Sequence, residues 1–572
     1  MDLTQEIKDK ALFWTTELFD ETTRNTVNQW LLENPQEVVE SFYKDLDFGT
    51  GGMRGIMSVG TNRINKYTLG LATQGLANYL KAQFPGDDNL KVAIAHDSRN
   101  FSREFSEGVA EVLSGNNISV YLFESLRPTP ELSYAVRKLN CQAGIVLTAS
   151  HNPKEYNGYK VYWSDGGQLV PPHDKGVIQE VRKVILKDVI FAGKPELIHS
   201  VGADIDEPYV EDIANLSLSN DGKQDLKIVF TALHGTSITL LPPALEKMGF
   251  TQVDILESQA TPDGNFPTVI SPNPEEAEAL KLAVERANET GADLVIGTDP
   301  DSDRVGIAVR GEDGKMHLLN GNQTASLLVE YVLRKNAEAG NFKGNEFIAE
   351  TVVTTDLLEK IGTAHGVKTK KCLTGFKWIA KLIRETEGQE KFLVGGEESY
   401  GYLVGDFVRD KDAIASAVMI AEVAAEAKAK GSDMLSELQR IHCEYGHYQE
   451  ALVSMTKKGI SGSQEIAKMM EDLRVNPPSQ LGGETVTHVM DYNSLTTKEI
   501  ATGTTQSIDL PATNMIQLLT EGGAKITARP SGTEPKIKFY ISVNETCTAD
   551  QYEASREKLL NQIQTIKSEM NI

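Results

Sequence analysis

The sequence predicts an α/β protein of several domains. Short apolar runs recur between helical stretches, which is the pattern of parallel α/β units. At 572 residues the chain is long enough to form several domains, each with its own core. The last segment has a different texture: strand candidates at 526–528 and 537–543 flank a basic loop, and a helix from Ala549 closes the chain, as in a separate α+β domain. In order, residues 1–45 read as helical, with Ala11, Leu12, Leu18 and Trp30 as apolar positions among many charges. Strand candidates follow at 91–95, 118–123, 144–147, 227–231, 253–256, 293–296, 347–351 and 392–394. Breaks fit near 202–208, 320–321 and 442–446.

Composition narrows the function classes. A net charge of −24 argues against nonspecific nucleic-acid binding and obliges any anionic substrate to find local cations. Arg54, Lys160, Arg304, Lys411, Arg529 and Lys536 lie in or near the loops described next and could supply them. The four cysteines are far apart, with no C-x-x-C, which argues against a zinc site or a disulfide framework. No signal-peptide core precedes the first helix, and the apolar stretch 413–425 is too short to span a bilayer. The expectation is a reducing, cytoplasmic protein with no membrane or nucleic-acid partner.

Four loops carry chemistry. The apolar run 143–147 ends in Thr148-Ala-Ser-His-Asn-Pro153, presenting the Ser150 hydroxyl beside the His151 imidazole where α/β sheets bind ligands. A second run ends in Asp299-Pro-Asp-Ser-Asp-Arg304. Three carboxylates at alternate positions would share a cation, and oxygen ligands suit Mg²⁺ or Ca²⁺. An EF-hand is excluded, since Arg304 and Arg310 stand where its Gly and bidentate Glu belong. The third loop, Gly395-Gly-Glu-Glu-Ser-Tyr-Gly401, could bind vicinal sugar hydroxyls through Glu397 and Ser399, or cap a helix. The fourth, Arg529-Pro-Ser-Gly-Thr-Glu-Pro-Lys536, offers a guanidinium fork, hydroxyl donors and a glycine to a phosphate, or is an ordinary turn. Residues 49–55, glycine-rich around Arg54, are a weaker anion-loop candidate.

Together, and in this order, the four loops resemble the phosphoserine, metal, sugar and phosphate loops of the α-D-phosphohexomutase family. The N-terminal extension and the stretches 157–163 and 374–378 resemble the subgroup containing phosphopentomutases and glucose-1,6-bisphosphate synthases; the intact Gly-Glu-Glu-Ser favours glucose phosphates. The resemblance implies three similar mixed-sheet α/β domains and a C-terminal α+β domain around a central cleft, with boundaries at 1–205, 206–320, 321–445 and 446–572. It implies that Ser150 carries a phosphoryl group between C1 and C6 of glucose through glucose 1,6-bisphosphate. Asp299, Asp301, Asp303 and a Ser150-phosphate oxygen would hold Mg²⁺. His151, Lys160 or Lys411 would be the general base; Lys411 lies one residue further from the sugar loop than the family's lysine. Substrate contacts are implied for Arg54, Arg304, Thr374, Glu397, Ser399, Arg529, Ser531, Gly532, Thr533 and Lys536. The partner would be a phosphosugar, the assembly a monomer or weak homodimer. Phosphomannomutase or phosphopentomutase activity, a metal-dependent phosphatase and a phosphosugar sensor are the alternatives.

Overall fold

A computed structural model describes residues 3–49, 51–457, 459–531 and 536–572. The chain divides into two compact units: residues 1–319, 376–389 and 399–430 form one, and 320–375, 390–398 and 431–572 the other.

The first unit holds two mixed sheets. In one, the strands Ala143–Leu147, Lys91–His96, Ser119–Phe123 and Ile198–Val201 run parallel, and Tyr156–Trp163 and then Gly52–Ile56 add antiparallel at the edge. In the other, Leu294–Thr298, Lys227–Thr231 and Gln252–Ile255 are parallel, with Val305–Arg310 and Met316–Leu319 antiparallel beside them. The parallel strands read as continuous apolar runs because both faces are covered: every residue of Ala143–Leu147 and Leu294–Thr298 is buried. Their antiparallel partners carry the chain back, so each catalytic-type loop is the turn between a central strand and its returning neighbour.

Two sequence expectations change here. Residues 52–56 of the glycine-rich segment are an edge strand rather than a loop. The glycine at 52 is required by close approach: its φ is +133°, and a Cβ there would stand 1.8 Å from the Tyr159 carbonyl oxygen. The N-terminal extension is helical at Gln5–Phe13, Glu21–Glu33 and Pro35–Phe42. However, Leu12 and Leu18 are exposed, and the cluster is built instead from Ile7, Ala11, Trp14, Phe19, Val27, Val38, Val39 and Phe42 packed on Tyr67. Trp14 stacks on Phe19 at 4.5 Å, and the Tyr67 hydroxyl donates to Asp20 at 2.7 Å. Among the described residues no helix is long and apolar enough to cross a membrane.

The second unit has a parallel sheet of Lys368–Cys372, Glu346–Thr351 and Lys391–Glu397, and an antiparallel sheet centred on His447–Thr456, Lys536–Glu545, Lys525–Pro530, Ile516–Thr520 and Glu484–Asp491. The latter folds over Ile466, Met470, Leu559, Ile563 and Ile566 from the helices Gly459–Val475 and Tyr552–Met570. The two sheets are joined by a partly buried ionic cluster. Lys525 reaches Asp356 at 2.8 Å and the Thr354 carbonyl at 3.3 Å. Lys371 touches Asp356 at 2.8 Å, Glu359 at 2.9 Å and Glu350 at 3.3 Å. Glu350 is fully buried, and neither carboxyl oxygen has a hydrogen-bond partner.

Burial therefore pushes the Glu350 carboxyl up to about 8, against the pull of Lys371. The folded state then holds a proton that the unfolded chain releases near 4.5, the ordinary glutamate value. Stability is lost as pH rises from that value toward 8 and levels off above it, by up to about 1.4 kcal/mol per pH unit. Glu350→Gln should make the fall in urea midpoint between about pH 5 and 8 shallower than in the unmodified protein. Equal slopes for the two would show that Glu350 is ionised throughout.

Candidate functional site

Ser150 is held by its own loop before it meets anything else. Its backbone N–H donates to Thr148 Oγ1 at 2.8 Å, and its φ of +52° is a left-handed conformation that costs a non-glycine residue of order 1 kcal/mol or more. The loop is fixed from below by Arg99, a residue the sequence reading missed. Its buried guanidinium donates to four backbone carbonyls: Ser150 at 2.5 Å, Pro153 at 2.8 Å, Tyr156 at 3.0 Å, and Asn152. Asp97, equally buried, pairs with Arg99 at 3.3 Å. The available signal was position: Asp97-Ser-Arg99 follows directly on a buried strand.

The Ser150 hydroxyl donates to Asp299 Oδ2 at 2.6 Å and lies 3.1 Å from His151 Nδ1. With the hydroxyl proton directed at Asp299, the imidazole is left to donate. Burial, helped by Arg304 and Arg54, holds His151 well below the usual histidine range, so the ring is neutral.

Asp299, Asp301 and Asp303 are all buried, and one oxygen of each lies within 4.8 Å of the others. The alternation brings them together because Ser302 takes φ +57° between the second and third. Asp299 Oδ1 accepts the N–H groups of Asp303 and Arg304, each at 3.0 Å. Thr129, also missed, donates its hydroxyl to Asp301 Oδ2 at 3.0 Å and its N–H to the Asp301 carbonyl at 2.8 Å. Burial, then Asp301 and Asp303, pushes Asp299 well above the ordinary carboxylate range. Asp303 is held well below it: burial acts upward, but Lys160, Lys411 and Arg304 outweigh it.

The cations are arranged around this group. Lys160 lies 2.6 Å from Asp301 Oδ2 and 3.0 Å from Asp303 Oδ2. Burial works against its charge, but the two carboxylates raise its pKa, so it stands protonated. Lys411 reaches Asp303 at 3.3 Å and Asp410 at 3.2 Å. Arg304 pairs with Glu275, and Arg54 hydrogen-bonds Asn152 at 3.1 Å within electrostatic reach of all three aspartates. Asp301 Oδ1 and Asp303 Oδ1 remain buried without a hydrogen-bond partner. Two hard carboxylate oxygens left over beside Asp299 are the donor set of an oxygen-preferring divalent cation, so these residues fit a metal. A second acidic group, Glu350, Asp356 and Glu359, already has the Lys371 ammonium among its carboxylates.

The second unit carries the other two loops. Glu397 ends the strand Lys391–Glu397, and its Oε1 accepts the N–H of Gly375, beside Thr374, at 2.7 Å. This carboxylate therefore braces a turn, in the manner of the capping alternative, with its other oxygen not committed to that bond. Arg529 lies near the end of the strand Lys525–Pro530, hydrogen-bonded to the Tyr540 hydroxyl. Burial raises the Tyr540 pKa, and Glu398 and Glu397 raise it further. Tyr540, which no sequence signal marked, thus brings the sugar-type and phosphate-type loops into electrostatic contact. The Ser531 N–H donates to the Lys536 carbonyl at 2.7 Å, closing the fourth loop. Gly532 and Thr533 lie outside the described residues. Ser399 and Tyr400 belong to the first unit, where Tyr400 has φ +64° and accepts the Val305 N–H at 3.0 Å.

Known proteins resemble this chain along most of its length. The family models for phosphoglucomutase/phosphomannomutase α/β/α domains I, II and III match residues 45–187, 207–314 and 320–441. A phosphoglucomutase of Staphylococcus aureus is 39% identical over 539 residues, 94% of this chain and 95% of its own. One of Staphylococcus haemolyticus is 38% identical over 558 residues, 94% of this chain and 99% of its own. Among solved structures, the parafusin phosphoglucomutase of Paramecium shares the fold with a TM-score of 0.67 at 16% identity, covering 92% of this chain and 96% of its own. Motif order, a buried aspartate triad beside a strand-end serine, and similarity along most of the chain converge: the protein belongs to the α-D-phosphohexomutase family, the phosphoglucomutases and phosphomannomutases.

Proposed function

We propose that the chain interconverts glucose 1-phosphate and glucose 6-phosphate through a phosphoserine at Ser150 and a glucose 1,6-bisphosphate intermediate. The observation that carries this is the Ser150 hydroxyl hydrogen-bonded at 2.6 Å to an aspartate of the metal-type triad. The relatives named phosphoglucomutase and the intact Gly-Glu-Glu-Ser loop support glucose over mannose or pentose phosphates. Four domains with the boundaries given above, a cytoplasmic location and a monomer or weak homodimer belong to the same proposal.

Asp299, Asp301 and Asp303, with an oxygen of a phosphorylated Ser150, would hold Mg²⁺. That ion, when bound, supplies positive charge to the phosphoryl group in transfer. The chain's own residues do the rest. His151 orients the Ser150 hydroxyl, and Arg99 keeps the loop carbonyls turned away from the incoming phosphate. Lys160, Lys411, Arg304 and Arg54 give an anion a positive approach that the net charge would otherwise deny. Glu397 and Ser399 would read sugar hydroxyls beside Thr374, and Arg529, Ser531, Gly532, Thr533 and Lys536 would grip the phosphate not being transferred. Bisphosphate formation moves the phosphoryl group from Ser150 Oγ to a sugar hydroxyl, whose proton must leave. Of the candidates His151, Lys160 and Lys411, all beside the triad, the neutral His151 ring can take it as it stands, whereas Lys160, held protonated by Asp301 and Asp303, must first lose its own proton.

Phosphorus NMR of the protein with glucose 1-phosphate, Mg²⁺ and a trace of glucose 1,6-bisphosphate should show the glucose 6-phosphate resonance. Chelation should abolish its appearance, and Ser150→Ala should remove it while leaving the melting temperature unchanged. Free phosphate as the sole product would mean a phosphatase, and no change at all a sensor.

Arg99→Met should lower kcat on the order of a hundredfold, the cost of a roughly 1 Å misplacement of a reacting group, with a smaller effect on KM. Arg99→Lys should recover only part, because a point charge cannot serve four carbonyls. A kcat within twofold of the parent, from either variant, would remove Arg99 from the positioning of Ser150.

Arg529→Lys should raise KM for glucose 1-phosphate roughly tenfold, the worth of one charge-assisted hydrogen bond. Phosphorylation of Ser150 by the bisphosphate, read by intact-protein mass, should be less affected than KM. An unchanged KM would assign Arg529 to its Tyr540 contact alone.

A further inference from the structure

Two thiols lie outside the site, at the junction where the second unit's helical layer passes into its antiparallel sheet. Cys443 sits in the last turn of the helix Met434–Tyr445, which is tied to the helix Gly321–Glu338 by the Arg440–Glu330 ion pair at 2.7 Å. The chain leaves that helix through Gly446, at φ +127°, and enters the strand His447–Thr456. His447 pairs in register with Glu545, and Cys547 follows two residues beyond. Each cysteine therefore flanks the same end of the strand pair, one from each side. Their thiols are neighbours: burial raises the Cys443 pKa, and the Cys547 thiol raises it further.

The surroundings suit a dithiol better than a metal. His442, His447 and Tyr552 form a stack, with ring centroids 4.8 Å apart for the two histidines and 4.5 Å for His447 and Tyr552. The Gln449 amide nitrogen lies 3.1 Å from His447 Nε2; it can only donate, so the neutral ring carries its proton on Nδ1. That N–H is directed to Ser555 Oγ at 2.7 Å, with Cys547 Sγ at 3.8 Å. Burial keeps His447 at about 4 and His442 at about 3, so neither ring is charged at neutral pH. Among the described residues, none of these side chains joins a group close enough to share a cation. Cys443 is partly exposed and Cys547 buried, whereas Cys141 and Cys372 are buried far from any other thiol in sequence and sheet.

We propose that Cys443 and Cys547 close to a reversible disulfide under peroxide, stapling the helix Met434–Tyr445 to the end of the strand Lys536–Glu545 across the Gly446 turn. The Cys443 sulfur, as thiolate, attacks one peroxide oxygen; the O–O bond breaks, giving a sulfenic acid and hydroxide, which takes the released thiol proton as water. The Cys547 sulfur then attacks the sulfenic sulfur; the S–O bond breaks, the S–S bond forms, and the departing hydroxide leaves as water with the Cys547 proton. The two thiols are oxidised and one peroxide is reduced to two waters. Because the Cys443 thiol is held protonated, the reaction is slow at neutral pH and quickens as pH rises. The functional consequence rests on the proposed mutase reaction. Arg529 and its loop ride on the stapled sheet, and a bisphosphate that presents first one phosphate and then the other needs that sheet free to readjust. The disulfide form should turn over slowly.

The test uses the full chain treated with hydrogen peroxide, followed by mass mapping and assay with glucose 1-phosphate. The expected result is a cross-linked peptide pair containing Cys443 and Cys547, a loss of most of the turnover, and recovery with dithiothreitol. Cys443→Ser and Cys547→Ser should each keep the reduced enzyme's activity and resist the peroxide-dependent loss. Over-oxidation of Cys443 to sulfinic acid with Cys547 left as a thiol would overturn the proposal, as would a disulfide that leaves turnover unchanged. Mapping in the unmodified protein needs neither variant to fold and no turnover at all. A reduced protein without mutase activity would therefore count against the proposed reaction, while the cross-link would still be decided by mass.

Discussion

Three buried carboxylates on one short loop are the constraint around which the first unit is built. Within 4.8 Å of one another, each pair would repel by on the order of 3 kcal/mol even at an effective dielectric of about 20. The fold answers from several directions at once. Lys160 comes from the antiparallel neighbour of the Ser150 strand, Lys411 from the segment before the helix Ala413–Ala429, and Thr129 from the first turn of the helix Thr129–Lys138. Ser150 itself gives its hydroxyl proton to Asp299. Two sheets that are separate in hydrogen bonding are thus joined through charge at the ends of their central strands. What remains, a pair of carboxylate oxygens with no protein donor, has the chemistry of a cation site.

Holding this arrangement stores strain. Ser150, Ser302 and Tyr400 each adopt a left-handed backbone, in three different turns around the triad, and each costs roughly 1–3 kcal/mol. Such turns persist only where the surroundings over-determine them. For Ser150 the over-determination is Arg99, whose guanidinium satisfies carbonyls that the tight loop turns inward. A buried arginine–aspartate pair adds little net stability by itself. Its value lies in geometry, because a planar fork with five donors can fix several carbonyls at once where no regular backbone pairing reaches.

These two kinds of feature differ in how far the sequence reveals them. The central strands were legible because burial on both faces leaves apolar runs with no alternation, and the loops after 143–147 and 294–298 stand out against them. The aspartate triad was legible for the same reason: its spacing is local. The edge strand Gly52–Ile56 was not, since Gly52 serves a close approach to Tyr159 that exists only after pairing across about a hundred residues of chain. Arg99, Thr129 and Tyr540 were missed on the same ground, each gaining its meaning from partners distant in sequence. Of the apolar positions in the extension, Ala11 is buried while Leu12 and Leu18 are exposed, since an apolar position does not by itself say what covers it, and Trp14 and Phe19 fill the core there.

The two units also meet the same physical demand, a chain with a net charge of −24 burying acidic groups, by different means. In the first, Lys160, Lys411 and Arg304 pair with Asp301 and Asp303, while Asp299 is pushed upward by burial and by its two neighbours. In the second, Lys371 and Lys525 balance Asp356 and Glu359, and Glu350, the buried member of that group, is pushed up to about 8 by burial. The difference follows from what each carboxylate can reach. Asp301 and Asp303 each keep one buried oxygen without a hydrogen bond, whereas Glu350 has none at either oxygen and meets, through Oε1, a lysine already shared among three acids. A metal-type centre and a structural ionic joint thus differ within one acidic protein in their geometry: three buried carboxylates crowded on one loop in the first, and acids gathered round a shared lysine in the second.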